Sequence, residues 1–178
     1  LNVQIYRNNV QQFNGASTYS GTTIVQGSQA AGGSPLIPGS ILIVNGAHIG
    51  GGAYTVSGGN SSQPGVLAGS GVISASVVNL NAYSFLSPGG ALSADGTDAA
   101  TYSDTPGILT FSNAVNLTTA TSTLQAQLNG TTPGSGYDQV AIEGGGSFSN
   151  NAANLQLTLG YTPAVGDKFT LVKVQGTD

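Results

Sequence analysis

The chain has 178 residues, of which only 6% are charged, and its formal net charge at neutral pH is −4. Its three basic residues are too few for the counterion displacement that binding to nucleic acid or to an anionic membrane surface requires, so neither is an expected partner. The chain has no cysteine, which excludes disulfides and thiolate metal sites. No apolar run approaches the roughly 18 residues of a membrane-spanning helix, so no membrane insertion is expected.

Short apolar segments, most of them alternating with polar residues, recur along the chain. Each is bounded by Gly, Pro or Asn, and a period of two with such boundaries is typical of β-strands. No stretch has the i, i+3, i+4, i+7 spacing of a three-turn helix, so the sequence predicts an all-β chain. In chain order, the predicted strand segments are 1–6, 41–44, 73–77, 109–117, 124–128, 140–142, 155–159 and 169–171.

The spacing of these segments favours a parallel β-helix, a solenoid in which each coil contributes two or three strands. Glycine-bearing corners separate strands that recur roughly every ten residues, and small residues allow close stacking of coils. At about 20 residues per coil we expect roughly eight or nine rungs. A β-sandwich is the alternative. Asparagines beside strand ends are expected to satisfy corner backbone groups: Asn45, Asn79, Asn113, Asn116 and Asn129.

We interpret residues 1–178 as a single β-helix domain in which 86–106 is a corner loop extended by insertion. The chain begins at Leu1 and contains no Met, so we expect a segment of a longer exported protein. The inserted loop holds Asp95, Asp98 and Asp104, whose spacing lacks the regularity of a calcium loop. We therefore predict no metal site and no cofactor.

Residues 13–27, FNGASTYSGTTIVQG, resemble an autotransporter-associated β-strand repeat. Ser17 stands where that repeat usually has Asn, and Gly27-Ser28-Gln29 replaces its usual Gly-x-Leu ending. Further segments are similar to the coils that commonly follow such repeats in bacterial surface proteins: 67–73, 86–90 with 106–111, 136–140 and 160–171. The resemblance implies a right-handed parallel β-helix that is exported and serves as a passenger, a stalk or a surface fibre. It carries over no catalytic residue.

Residues suited to catalysis are scarce. His48 is the single histidine, and we expect its imidazole at a solvated or corner position of a strand. Glu143 is the single glutamate, and Asp138 precedes it by five residues, which a period of two places on opposite faces. We predict that the chain is not an enzyme. A carbohydrate-binding β-helix module with surface glycans as partner is the alternative, and the tyrosines best placed for exposure are Tyr6, Tyr54, Tyr83 and Tyr102.

The two ends of a solenoid present unpaired strand edges, which basic residues either protect or leave available for pairing. Segment 1–6 could add to a neighbouring subunit by β-augmentation, and head-to-tail contacts generate filaments. We therefore predict a non-enzymatic structural protein, extracellular or at the bacterial cell surface, which contacts itself or neighbouring segments of the same protein. The candidate self-association residues are Leu1, Val3, Ile5, Arg7, Lys168 and Lys173.

Overall fold

The computed structural model describes residues 1–6, 9–27, 39–92, 102–103 and 105–175. This part of the chain is all-β, and its strands form three sheets of parallel strands, which we name A, B and C. The predicted parallel β-helix is confirmed, and the alternative sandwich of antiparallel layers is wrong because neighbouring strands of every large sheet run in the same direction. No helix of the described residues is long and apolar enough to cross a membrane.

Within the described ranges, six coils follow one another; the first has strands in sheets A and B, and each later coil has strands in sheets A, B and C in that order. The first coil contributes β1 (Val3–Ile5) and β2 (Val10–Phe13), and the second β3 (Thr23–Gln26), β4 (Ser40–Val44) and β5 (Ala47–Gly51). The third contributes β6 (Tyr54–Ser57), β7 (Gly65–Gly69) and β8 (Val72–Ala75). The fourth contributes β9 (Val77–Leu80), β10 (Ser84–Pro88) and β13 (Ile108–Phe111), with β11 (Ala91–Leu92) and β12 (Tyr102–Ser103) between β10 and β13. The last two contribute β14 (Ala114–Leu117), β15 (Thr123–Leu128) and β16 (Gln139–Ile142), then β17 (Phe148–Asn150), β18 (Asn154–Leu159) and β19 (Val172–Val174).

The coils are longer and fewer than the sequence predicts. In sheet A the shortest step between stacked residues runs from Val3 to Thr23, 20 positions, and the longest from Val78 to Val115, 37 positions. The expected eight or nine rungs are therefore wrong for the described residues, which form six coils. The reason is the length of the corners, for example 129–138 and 160–171, which add residues to a coil without adding a rung.

Inward side chains stack in columns along the axis. In sheet B, leucines of four successive coils occupy one column, and in sheet C one column mixes aromatic rings with isoleucines; all of these side chains are nearly excluded from solvent. Burial of apolar surface between coils is the main favourable term in such a core. The two columns are Leu42, Leu67, Leu86 and Leu124, and His48, Ile73, Phe111 and Ile142.

The asparagines divide into two groups. Asn45 accepts a hydrogen bond from the backbone N–H of Ser70, and the Asn113 amide donates to the carbonyl of Ala75, as predicted for corners. Asn79 and Asn116 instead lie within paired strands and join side chain to side chain, 2.9 Å apart. The polar outer surface of sheet A is thus itself ordered by coil stacking.

The inserted segment leaves the coil between β10 and β13. Its described ends, β11 and β12, pair antiparallel, whereas the flanking strands join sheets B and C. Asp95, Asp98 and Asp104 lie outside the described residues. The single-domain organisation with an insertion at 86–106 stays a prediction. Near the C-terminus, the strand expected at 169–171 is wrong, because the chain enters sheet C only at β19.

Glycines line the corner between sheets B and C where backbones of successive coils come closest. A Cβ added to Gly71 would collide with the carbonyl oxygen of Gly46, and one added to Gly46 would collide with that of Gly15. The corner therefore requires the absence of a side chain rather than an unusual backbone conformation.

We expect Gly71→Ala to destabilise the fold by about 1–3 kcal/mol, the usual cost of inserting atoms into a packed site. Gly15→Ala is the matched control, because a Cβ there meets nothing within 4 Å, and it should be neutral or stabilising by up to about 1 kcal/mol. Urea denaturation followed by circular dichroism measures both. Equal stability of the two variants would show that the close approach of coils is not a constraint.

Candidate functional site: the open end of the coil stack

The last coil forms the C-terminal end of all three sheets. Strands β17, β18 and β19 are the terminal strands of sheets A, B and C, and each pairs with one described neighbour. Strand β18 pairs with β15 over six residues, from Thr123–Asn154 to Leu128–Leu159. Its other edge therefore presents backbone groups in the spacing of a parallel sheet, ready for a further strand.

Three leucines of β18 make this end apolar. Leu155, Leu157 and Leu159 are 54%, 49% and 57% exposed, although they occupy inward positions of sheet B. Their register partners one coil earlier are Leu124, Ala126 and Leu128, which are buried. Side chains of these columns are thus buried in the fifth coil and half-exposed in the sixth, because among the described residues no further coil covers the sixth. We name these three residues the leucine end.

Strand β19 continues the open surface on sheet C. Val174 is 43% exposed and stacks on the buried Ile142, while Val172 packs against the core. Lys173 lies between them, is exposed, and points outward because it alternates with the two valines. The positive charge therefore lies on the outer face of sheet C and does not cover the leucine end.

The corner 160–171 carries the chain from β18 to β19 and is held by local contacts. Asp167 accepts hydrogen bonds from the Tyr161 hydroxyl at 3.0 Å and from the Ala164 N–H at 2.8 Å. The Phe169 ring packs edge-on against Tyr137, with ring centres 5.3 Å apart. Lys168 lies exposed in this corner, outside any strand. The corner is thus a built part of the last coil.

The N-terminal end differs in character. Leu1 is 87% exposed, Val3 is half-buried and Ile5 is buried at 5% exposure on the terminal strand of sheet A. Arg7 lies outside the described residues. The structure thus separates the candidate self-association residues into two groups, with Leu1, Val3 and Ile5 at one end and Lys168 and Lys173 at the other.

Sequence reasoning missed the leucine end as a site. It predicted the strand at 155–159 correctly, yet alternation looks the same in a covered and an uncovered coil.

A polar cluster also lies inside the stack, around His48 of the second coil and Tyr54 of the third. His48 is buried at 1% exposure, with its Nε2 2.9 Å from the carbonyl oxygen of Tyr19 and its Nδ1 2.8 Å from the Tyr54 hydroxyl. Because a carbonyl only accepts, Nε2 carries the proton and Nδ1 accepts from Tyr54. The Tyr19 ring stacks on the imidazole at 4.2 Å. The expectations of a solvated His48 and an exposed Tyr54 are both wrong, because both side chains point into the stack.

The remaining candidates for chemistry lie apart. Asp138 is buried and accepts hydrogen bonds from the backbone N–H groups of Gly107 at 2.8 Å and Gln127 at 2.7 Å, so it ties β15 to the residue that precedes β13. Glu143 is exposed. In the described ranges no group of three or more His, Asp or Glu residues could hold a metal ion.

Comparison with known proteins adds no relative. No family model matches the chain, and no curated protein or solved structure is similar to it. The resemblance to an autotransporter-associated repeat therefore stays a prediction.

The buried Tyr54 predicts sensitivity to alkali. Burial raises the pKa of its hydroxyl well above the ordinary value, and the neighbouring Tyr19 adds to the shift. The contribution of Tyr54 to stability is therefore complete below about pH 10, where the unfolded chain ionises, and is lost as the pH rises further. The free energy of unfolding should fall with pH above 10, by about 1.4 kcal/mol per pH unit for this one proton.

Tyr54→Phe removes that proton, so its unfolding free energy should fall less steeply with pH than that of the parent. Urea titrations at several pH values between 9 and about 11.5 measure the two slopes. Parallel slopes would contradict the assignment.

Proposed function

We propose that this chain is a non-enzymatic structural protein of the cell exterior, a β-helical rod that lengthens by stacking a further parallel coil on its C-terminal end. The observation that carries the proposal is the leucine end, where inward side chains are half-exposed although their partners one coil earlier are buried. The exterior location is supported by the nearly uncharged composition and by the resemblance to surface-protein repeats.

Two forces favour addition at this end. A new strand beside β18 would pair with its free edge, and it would cover three leucines, each worth about 1.5–3 kcal/mol when fully buried and less here because they are already half covered. Electrostatic repulsion is weak, since the net charge is only −4 over 178 residues. The same features would leave the end prone to pairing if it stayed bare.

The occupant we propose is the N-terminal coil of a second copy. Its β1 and β2 are the opposite terminal strands of sheets A and B, so a head-to-tail contact continues both sheets in parallel. In the columns of the fold, Phe148 would then face Val3 and Leu157 would face Phe13 of the next copy. Because such a contact does not close on itself, it builds a filament.

A stalk or passenger uses the same surface differently. There the covering coil belongs to the same longer polypeptide, so the purified chain would lack its natural cover but would still offer the leucine end. The two forms share one physical basis and differ in the oligomeric state of this chain alone.

The test compares Leu157→Lys with Thr158→Lys. The first places a charge inward on the leucine end, whereas the second places the same charge one residue later on the outward, exposed face of β18. We expect the parent and Thr158→Lys to associate with rising concentration and Leu157→Lys to remain a monomer. Sedimentation velocity measures this, and electron microscopy should show rods that lengthen.

Circular dichroism first establishes that both variants fold, which is expected because both positions are already about half-exposed or more. A parent chain that stays monomeric at every concentration would overturn the filament, and equal loss of association in both variants would overturn the role of the leucine end.

A further inference from the structure

A groove lies on the outer face of sheet B and reaches from β10 across β15 to β18, the terminal strand of that sheet. Its volume is about 210 Å³. Three of its lining residues are register neighbours on successive strands, and the others come from the turns beside them. The lining residues are Ser61, Tyr83, Phe85, Thr121, Thr123 and Asn154.

Tyr83 is held in this groove by an unusual backbone. Its φ of 55° lies in the left-handed region, which costs a non-glycine residue about 1–2 kcal/mol. Its N–H donates to the Thr121 hydroxyl at 3.3 Å, which ties the turns of two successive coils together. Strain of this kind persists only where the surroundings over-determine it, and it is concentrated at functional sites. The ring is 36% exposed.

The groove combines aromatic rings with free hydrogen-bonding groups and no charge. No described residue forms a hydrogen bond with the side-chain hydroxyls of Tyr83, Ser61 or Thr123. The Asn154 amide nitrogen donates to the carbonyl of Ala120, which leaves its oxygen free as an acceptor. The six lining residues include no Asp, Glu, Lys, Arg or His.

We propose that this groove binds one ring of a neutral sugar at a time. The C–H face of a sugar ring is apolar and packs on the rings of Tyr83 and Phe85, while its hydroxyls bind the free hydroxyl and amide groups. The absence of charge favours a neutral sugar over a uronic acid or a phosphate, whose desolvation would be uncompensated. The volume lies below the roughly 300–1,000 Å³ of pockets for drug-sized ligands, which agrees with a single ring.

This inference is independent of the proposed rod. The groove lies on a side face, so it stays open when coils are added at the end, and stacked copies would repeat it along the axis. Sugar binding and self-association can therefore be lost separately.

Tyr83→Gly is the sharpest test. Glycine adopts the left-handed backbone without strain, so this variant should fold at least as well as the parent while lacking the ring. Tyr6→Ala is the matched control, because Tyr6 is a half-buried tyrosine that does not line the groove. The probes are neutral hexasaccharides of glucose, galactose and mannose, with hexagalacturonic acid as the anionic counterpart.

Saturation-transfer NMR titrations measure binding regardless of the size of the assembly. We expect a saturable signal with at least one neutral probe, an affinity at least tenfold lower in Tyr83→Gly, and no change in Tyr6→Ala. The absence of a saturable signal from every neutral probe, unchanged affinity in Tyr83→Gly, or tighter binding of hexagalacturonic acid would each overturn the proposal. Sedimentation velocity on the same samples separates the two proposals, because self-association that persists without sugar binding would overturn the sugar site and leave the rod unaffected.

Discussion

Each coil of this protein depends on the next coil for the burial of its inward side chains. Inward side chains of the three sheets pack on one another across the core, and along the axis they are covered by equivalent residues of the neighbouring coils. Leu124 has a coil on both sides and is buried, whereas Leu155, its partner one coil later, has a coil on one side and is half-exposed. Stability in such a fold is approximately a sum over the coils and the interfaces between neighbouring coils.

The same stacking explains how so polar and uncharged a surface is maintained. Parallel register places like residues beside one another, so outward side chains satisfy each other along the axis, as Asn79 does with Asn116 and Ser74 with Ser112. Backbone N–H and C=O groups also pair along the axis, from one coil to the next. Hydroxyls and amides therefore serve here in place of the charges that other surfaces use, and the corners need glycine because coils approach so closely there.

Local features of the fold were predictable, and features that depend on distant partners were not. The strands at 109–117 and 124–128 follow from a period of two, which is a property of neighbouring residues. The number of coils cannot be derived from this period, because alternation within strands does not indicate the length of the corners between them. His48 shows the limit most clearly, since its inward direction depends on the carbonyl of Tyr19, 29 residues away, while Ile49 beside it points outward. The leucine end was invisible for the same reason, because exposure there depends on what lies beyond the last coil.

The two ends of the stack are unequal, which gives addition a direction in the proposed rod. At the N-terminal end Ile5 is buried, Val3 is half-buried and Leu1 is 87% exposed, whereas three leucines of one strand are half-exposed at the other end. A charge that protects a strand edge must lie in the path of the incoming strand. Lys173 points outward from β19, so it does not lie between stacked coils. In the proposed rod, an apolar end that is open along the axis therefore favours addition of a coil in one orientation over sideways aggregation.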